Sequence, residues 1–366
     1  MNQTNAVAIH AYYQNIQCNR FSKKNLAWLR LIIINFLLIV VSASFSSKAF
    51  ANDWRITITP CFGFYSGTIY EYLFGQSVAG TYEKVSELDW EIKPILYYGG
   101  KISVAWRGLA LLGYGRGFIP MRCGAMYDSD WTNVREYGDT KTKTNYSINE
   151  NSLKNAYAVG GAFSYTCRKT DSFAINVFCG LDFNHIMLNA QNGYGWYADA
   201  NTLGAHIGLP YTDEKAVVYN KGDLSPIDYM REEVITWLGS AMDMRFVKNR
   251  LSLSLAFAIS PYLYFQSLDS HHKMRKATKE IISTTYYADV VHGFFAACKT
   301  EAIVSYDVTK NFLFSFNIRW TLSQILQGTT YWAVSESGPW RQSNDRSGAG
   351  FNYVDISLGG TYRFAF

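Results

Sequence analysis

Several things are scarce in this chain, and each scarcity closes off a class of protein. Past residue 51 there is almost no apolar run long enough to be a helical membrane span, which argues against a helical membrane protein. Prolines number only 7, and no repeat, low-complexity tract or linker divides the chain, so one domain is enough. Of the 6 cysteines, Cys18 lies near the start and Cys61, Cys123, Cys167, Cys179 and Cys298 lie beyond residue 51. An odd, widely spread set is no disulfide framework, and no pair has zinc-ligand spacing. Neither Cys18 nor Cys61 follows the apolar, small-residue approach of a lipid-attachment site. Excess charge is missing too. Residues 1–51 hold five Lys/Arg and no Asp/Glu, so the remainder carries 29 basic and 29 acidic residues, which gives no support to a nucleic-acid partner.

What is present begins with an export leader. Arg20, Lys23, Lys24 and Arg30 precede the apolar run Leu31 to Val41, followed by small residues and Ala49-Phe50-Ala51. That order predicts a signal peptide over 1–51, cut after Ala51, and a mature domain over 52–366. The segment ahead of the apolar run is longer than usual, which leaves the start codon open. The mature part is rich in aromatics, drawn from 27 Tyr, 23 Phe and 10 Trp, as two interfacial girdles would demand of a transmembrane barrel.

The recurring pattern has period two. Trp54, Ile56 and Ile58 alternate with Arg55, Thr57 and Thr59, and Leu88, Trp90 and Ile92 alternate with charged residues. Leu253 to Ile259 and Phe312 to Trp320 repeat the pattern. Such alternation describes strands with one apolar and one polar face. The last strand, with Val354, Ile356, Leu358, Tyr362, Phe364 and Phe366 on one face, ends the chain on an aromatic residue. A soluble sheet would leave such an edge prone to aggregation, whereas a barrel pairs its last strand with its first. The fold expected is therefore all-β, a transmembrane antiparallel β-barrel in the outer membrane. Polar stretches at 127–151, 191–229, 271–282 and 335–352 read as extracellular loops.

Two segments concentrate ionisable groups at spacing two, Asp128-Ser129-Asp130 and Asp269-Ser270-His271. On a strand, residues i and i+2 point to the same side, so each segment offers a pair to one space. An Asp–His pair orients the imidazole and raises its basicity, and two close carboxylates keep one proton between them. Together they could enclose a water. Taken alone, acidic pairs on loops are ordinarily just solvated. His272 beside His271 suggests a metal, but adjacent strand residues point to opposite sides. Parity carried up from Leu253 would turn Asp269 toward lipid, so the site must lie above the membrane or a bulge near Pro261 must re-aim the strand.

Lys84-Val85-Ser86-Glu87-Leu88-Asp89-Trp90, Asp128-Ser129-Asp130-Trp131 and Asp269-Ser270-His271 resemble, in order and at fitting separations, the K-V-S-x-L-D-W, D-x-D-W and D-x-H segments of the omptins, the outer-membrane aspartyl endopeptidases. Weaker similarity runs through Ile227-Asp228-Tyr229 and the C-terminal strand. The resemblance implies a barrel of about ten strands that project beyond the membrane, with an active groove at the extracellular mouth. It implies that Asp269 and His271 activate water, that Asp128 and Asp130 complete the site, and that no metal, cofactor or covalent intermediate is needed. Substrates would be peptides or surface-exposed proteins. It also implies a pocket in which two acids hold Arg or Lys before the scissile bond. Glu71 fits the first acid, but Ser267 stands in place of the second, so basic residues should be preferred with less discrimination. Omptins need lipopolysaccharide, bound by basic residues outside the barrel. Here His185 and Glu232 fall where two of those arginines would be, which leaves that dependence open. The alternatives are a non-catalytic barrel, an adhesin or narrow porin, and more distantly a lipid acyl hydrolase, for which no Ser/His arrangement is found at the strand junctions.

Overall fold

The computed structural model describes residues 54–198, 209–246, 250–275 and 277–365; the expected leader lies outside them. Sixteen antiparallel segments form one sheet that closes on itself. In chain order they are β1 (Trp54–Gln76), β2 (Tyr82–Trp106), β3 (Leu109–Phe118), β4 (Met121–Asp130), β5 (Asn145–Lys169), β6 (Phe173–Tyr197), β7 (Val217–Tyr219) and β8 (Ile227–Phe246). There follow β9 (Leu251–Ile259), β10 (Leu263–Met274), β11 (Ile281–Gly293), β12 (Ala297–Asp307), β13 (Phe312–Ser323), β14 (Leu326–Ala333), β15 (Arg341–Gln342) and β16 (Arg346–Ala365). β3 and β4 continue one another, as do β9 and β10, β11 and β12, and β13 and β14. With β7 and β15 as short flanking pieces, the barrel has ten staves. One helical turn, α1 (Val134–Tyr137), sits in a loop.

Closure is the requirement that lipid imposes, because no water is available to satisfy an exposed strand edge. The last strand meets it by pairing with the first from Arg55↔Ala365 to Phe74↔Arg346. Trp54, Ala365 and the shorter connections 107–108, 170–172 and 308–311 share one end of the barrel, and the longer ones 131–144 and 334–345 share the other. Nearer the short-turn end, the outer surface is an apolar band that includes Phe62, Ile102, Leu111, Phe257, Phe316 and Leu358, all at least 40 % exposed. Inside this band charges are paired: Arg116 with Asp355 at 2.6 Å, Arg319 with Glu301 at 2.7 Å, Lys299 with Asp182 at 3.5 Å.

Above the band several staves change face. β9 exposes Leu255, Phe257 and Ile259, yet in β10 the same odd positions, Leu263 and Phe265, are buried. The switch falls at Ser260-Pro261-Tyr262, where the stave is interrupted. β2 exposes Tyr98 and Ile102 but buries Leu88, Trp90 and Ile92, with Pro94 between them. β5 exposes Tyr157 and Val159 and buries Asn149, Asn151 and Leu153 across a bulge at Leu153/Asn155. β13 exposes Phe314 and Phe316, whereas Thr330 of β14 is buried. Proline has no N–H to give a ladder; Pro120 and Pro261 stand between strands, and Pro94 at the register shift where β2 faces Tyr65 and Gly67. Below the switch apolar residues face lipid; above it they face inward and make a core. Trp90 stacks on Tyr229 at 5.0 Å, Phe351 on Tyr353 at 4.7 Å, and Phe265 meets Phe351 edge-on at 5.8 Å. These side chains are almost wholly buried and plug the bore beneath the mouth, so the interior is not the lumen of a porin.

The polar stretches differ from the expectation of long loops. β4 runs to Asp130 and β5 resumes at Asn145, β6 reaches Tyr197, β10 reaches Met274, and β16 begins at Arg346. Strands standing in water on their outer side need no apolar outer face, so a polar sequence there is still strand.

Leu358→Arg, in the lipid-facing band, should cost about 2–4 kcal/mol near the bilayer midplane. Val334→Arg, in an extracellular loop and 72 % exposed, should cost almost nothing. Urea unfolding in lipid vesicles, followed by heat-modifiable gel mobility, checks both.

Candidate active site

The switch at Pro261 determines what β10 presents to the barrel interior. With the parity changed, Phe265, Ser267, Asp269 and His271 all face inward. Asp269 is 5 % exposed at its side chain and His271 39 %, so the carboxylate is sealed while the imidazole meets solvent at the mouth. They are joined by a hydrogen bond between Asp269 Oδ2 and His271 Nε2. Tyr287, directly opposite Asp269 on β11, packs edge-on against the imidazole at 5.2 Å. Burial alone would push the His271 pKa down. The Asp269 charge and hydrogen bond outweigh it, aided by Asp128 and Asp130, and bring it up to about 8.

The second carboxylate pair comes from β4. Asp128 lies opposite Leu88 of β2 and Ser147 of β5, and Asp130 opposite Ser86 and Asn145. Asn145 Nδ2 donates to Asp130 Oδ2 at 3.0 Å, and Ser86 and Ser147 also hydrogen-bond Asp130 and Asp128 respectively. Burial raises both pKa values; Asp128 stands well above the usual carboxylate range because Asp130 and Asp269 add like charge, although His271 opposes them. The four sequence-predicted groups thus lie within electrostatic reach of one another, His271 feeling the charge of Asp269, Asp128 and Asp130.

Glu71 of β1 is 7 % exposed and accepts a hydrogen bond from Trp90 Nε1 at 2.9 Å. This gives the segment 84–90 a physical role. Ser86 supports Asp130, Leu88 lies between Glu71 and Asp128, and Trp90 fixes Glu71. Ser267 is 5 % exposed and sits directly opposite Asp289 of β11, a carboxylate that sequence reasoning misses. Asp289 Oδ1 accepts from Thr330 Oγ1 at 2.8 Å and Oδ2 from Ser267 Oγ at 3.4 Å. Only the strand register could have revealed it, since 22 residues separate it from Ser267. His272 points away from the site, pairing with Asp228 at 3.0 Å and Thr284 at 2.9 Å. His185 and Glu232 face one another on the outer surface at 3.4 Å, with Tyr157 stacked on the imidazole. Among the described residues no group of His, Cys, Asp and Glu has the arrangement of a metal site.

Comparison with known proteins identifies the family. The omptin family model matches residues 53–364. The chain belongs to the omptin family. It is an outer-membrane protease, with the mouth carrying these groups on the exterior side. Among solved structures, the outer membrane protease OmpT of Escherichia coli is similar over 87 % of this chain and 99 % of its own, at 17 % identity and a TM-score of 0.69. The autotransporter NalP translocator domain of Neisseria meningitidis matches over 93 % of this chain and 98 % of its own, at 8 % identity and a TM-score of only 0.32. No curated protein matches the omptin chain by sequence.

The dyad predicts a titration. The folded pKa of His271, about 8, lies above its ordinary value, so its protonation stabilises the fold fully below about pH 6.5, and that contribution fades as pH rises through 8. NMR of His271 should show a midpoint near 8 in the wild type. In Asp269→Asn the midpoint should fall to 6.5 or lower, with burial then less opposed.

Proposed function

We propose that this omptin is an aspartic-type endopeptidase that cuts peptides and exposed protein segments at the cell surface after basic residues, with Asp269 and His271 activating the attacking water. The observation that carries this reading is the hydrogen-bonded Asp269–His271 dyad sharing one space with Asp128 and Asp130 at the open mouth. Neutral His271 takes a proton from a water held between it and Asp128, while Asp269 orients the imidazole and stabilises the imidazolium. The water oxygen attacks the carbonyl carbon. The proton retained by the Asp128–Asp130 pair is donated to the carbonyl oxygen as it gains charge. Collapse of the tetrahedral intermediate breaks the C–N bond, the imidazolium protonates the leaving amine, and the carboxyl pair recovers its proton. Glu71, buried and held by Trp90, supplies negative charge for an Arg or Lys side chain on the acyl side of the cut.

His271→Ala or Asp269→Ala should lower kcat/KM on a basic peptide by about two or more orders of magnitude, as expected for loss of a general base. Heat-modifiable mobility should be retained, and His272→Ala, altered on the opposite face, should keep nearly full activity. Equal activity in wild type and His271→Ala would overturn the assignment.

The same assay should show activity falling as pH drops below about 8 and His271 takes up its proton. Chelators and serine- or cysteine-directed reagents should leave the rate intact, whereas loss with a chelator and recovery with zinc would indicate a metal mechanism.

A further inference from the structure

We propose that Asp289 is the second acid of the pocket for the cationic side chain, taking over from the neighbouring stave the work that Ser267 cannot do. This rests on the endopeptidase reading above and extends it to a residue outside the sequence motifs.

The geometry is a cross-strand exchange. Ser267 and Asp289 are direct partners in the β10–β11 ladder, and both side chains are buried. A serine at 267 is short enough to leave its share of the space to the carboxylate opposite. Its hydroxyl donates to Asp289 Oδ2, while Thr330 of β14 donates to Oδ1. The carboxylate is thus held from two sides in one orientation. Glu71, on β1, is held likewise by Trp90 of β2. The negative charges of Asp289 and Asp269 both act on Glu71.

Three inward carboxylates within mutual influence can all be ionised cheaply only beside a cation. Arg231, the cation that acts on Glu71, is already engaged: it pairs with Glu233 at 3.0 Å, donates to the Gly350 carbonyl at 2.9 Å and lies 4.0 Å over the Phe265 ring. Asp269 Oδ1 is buried without a hydrogen-bond partner, an acceptor left open beside the same pocket. Burial, aggravated by Asp269, brings Asp289 up to about 7, and burial with Asp269 and Asp289 raises Glu71 well above its ordinary value. An incoming guanidinium or ammonium relieves that unfavourable crowding. A neutral side chain does not, and would leave the acids unpaired. The pocket therefore holds two acids, and discrimination should be that of a two-acid site despite Ser267.

The experiment compares cleavage of matched peptides bearing arginine or citrulline before the scissile bond. Wild type should favour arginine strongly. Asp289→Asn, which keeps the size and the contacts to Thr330, should lower the arginine rate about ten- to a hundredfold, as loss of one charged hydrogen bond predicts, with the citrulline rate nearly unchanged. Moving the carboxylate back across the ladder, with Ser267→Asp and Asp289→Ser combined, should restore the arginine preference. A second readout does not depend on turnover: calorimetric binding of an arginine peptide amide to His271→Ala protein, which should weaken by a similar factor when Asp289→Asn is added. A wild type that cuts neither peptide sinks the endopeptidase reading, and the binding measurement still decides the pocket. Wild type that cuts after arginine with a preference and an affinity unchanged by Asp289→Asn overturns the role of Asp289 and leaves the endopeptidase reading in place.

Discussion

A strand can turn a given set of alternate residues to only one side, and this barrel stands in two solvents. In the lipid-facing band apolar side chains must point outward and charges must pair inside. Above it, apolar side chains must point inward if the projecting staves are to have a core. No uninterrupted alternation satisfies both with one apolar set, and several staves resolve the conflict by slipping a residue at the boundary. The site depends on that slip. Without the break at Ser260-Pro261-Tyr262, Asp269 and His271 would continue the parity of Leu255 and Phe257 and face outward.

Once inside, the acids are held at a cost that suits chemistry. Trp90, Tyr229, Phe265 and Phe351 exclude water from beneath the groove, and the same exclusion raises the pKa values of Glu71, Asp128 and Asp289. His271 moves the opposite way from what burial dictates because Asp269 is bonded to it. One environment thus makes carboxyl groups harder to ionise and an imidazole more basic. Carboxyl groups that give up their protons less readily, beside a more basic imidazole, suit acid–base work.

Much of the architecture was legible in the sequence because lipid writes a strong pattern. Exposed Phe314, Phe316, Ile318 and Trp320 must be apolar at every second place, and the terminal strand repeats this to its end. The ionisable pairs were legible for the same reason, since spacing two on a strand puts both members on one side. The parity conflict at Asp269 was also visible, with Pro261 as the place to resolve it. Register between staves was not visible. Asp289 becomes part of the pocket only through its pairing with Ser267, and Ser86, Asn145 and Ser147 support the carboxylates only through theirs. The polar strand ends at Asp130, Asn145, Tyr197 and Arg346 read as loop because water on their outer face erases the apolar alternation.

The central claim is that Asp128, on one stave, and His271, on another across the mouth, act on the same water. A double-mutant cycle in kcat/KM with Asp128→Asn and His271→Ala measures that directly. If both serve one water, each single substitution disables the same step, and the double variant should be scarcely worse than His271→Ala alone. Losses that multiply independently, or an Asp128→Asn variant with wild-type activity, would contradict the shared site.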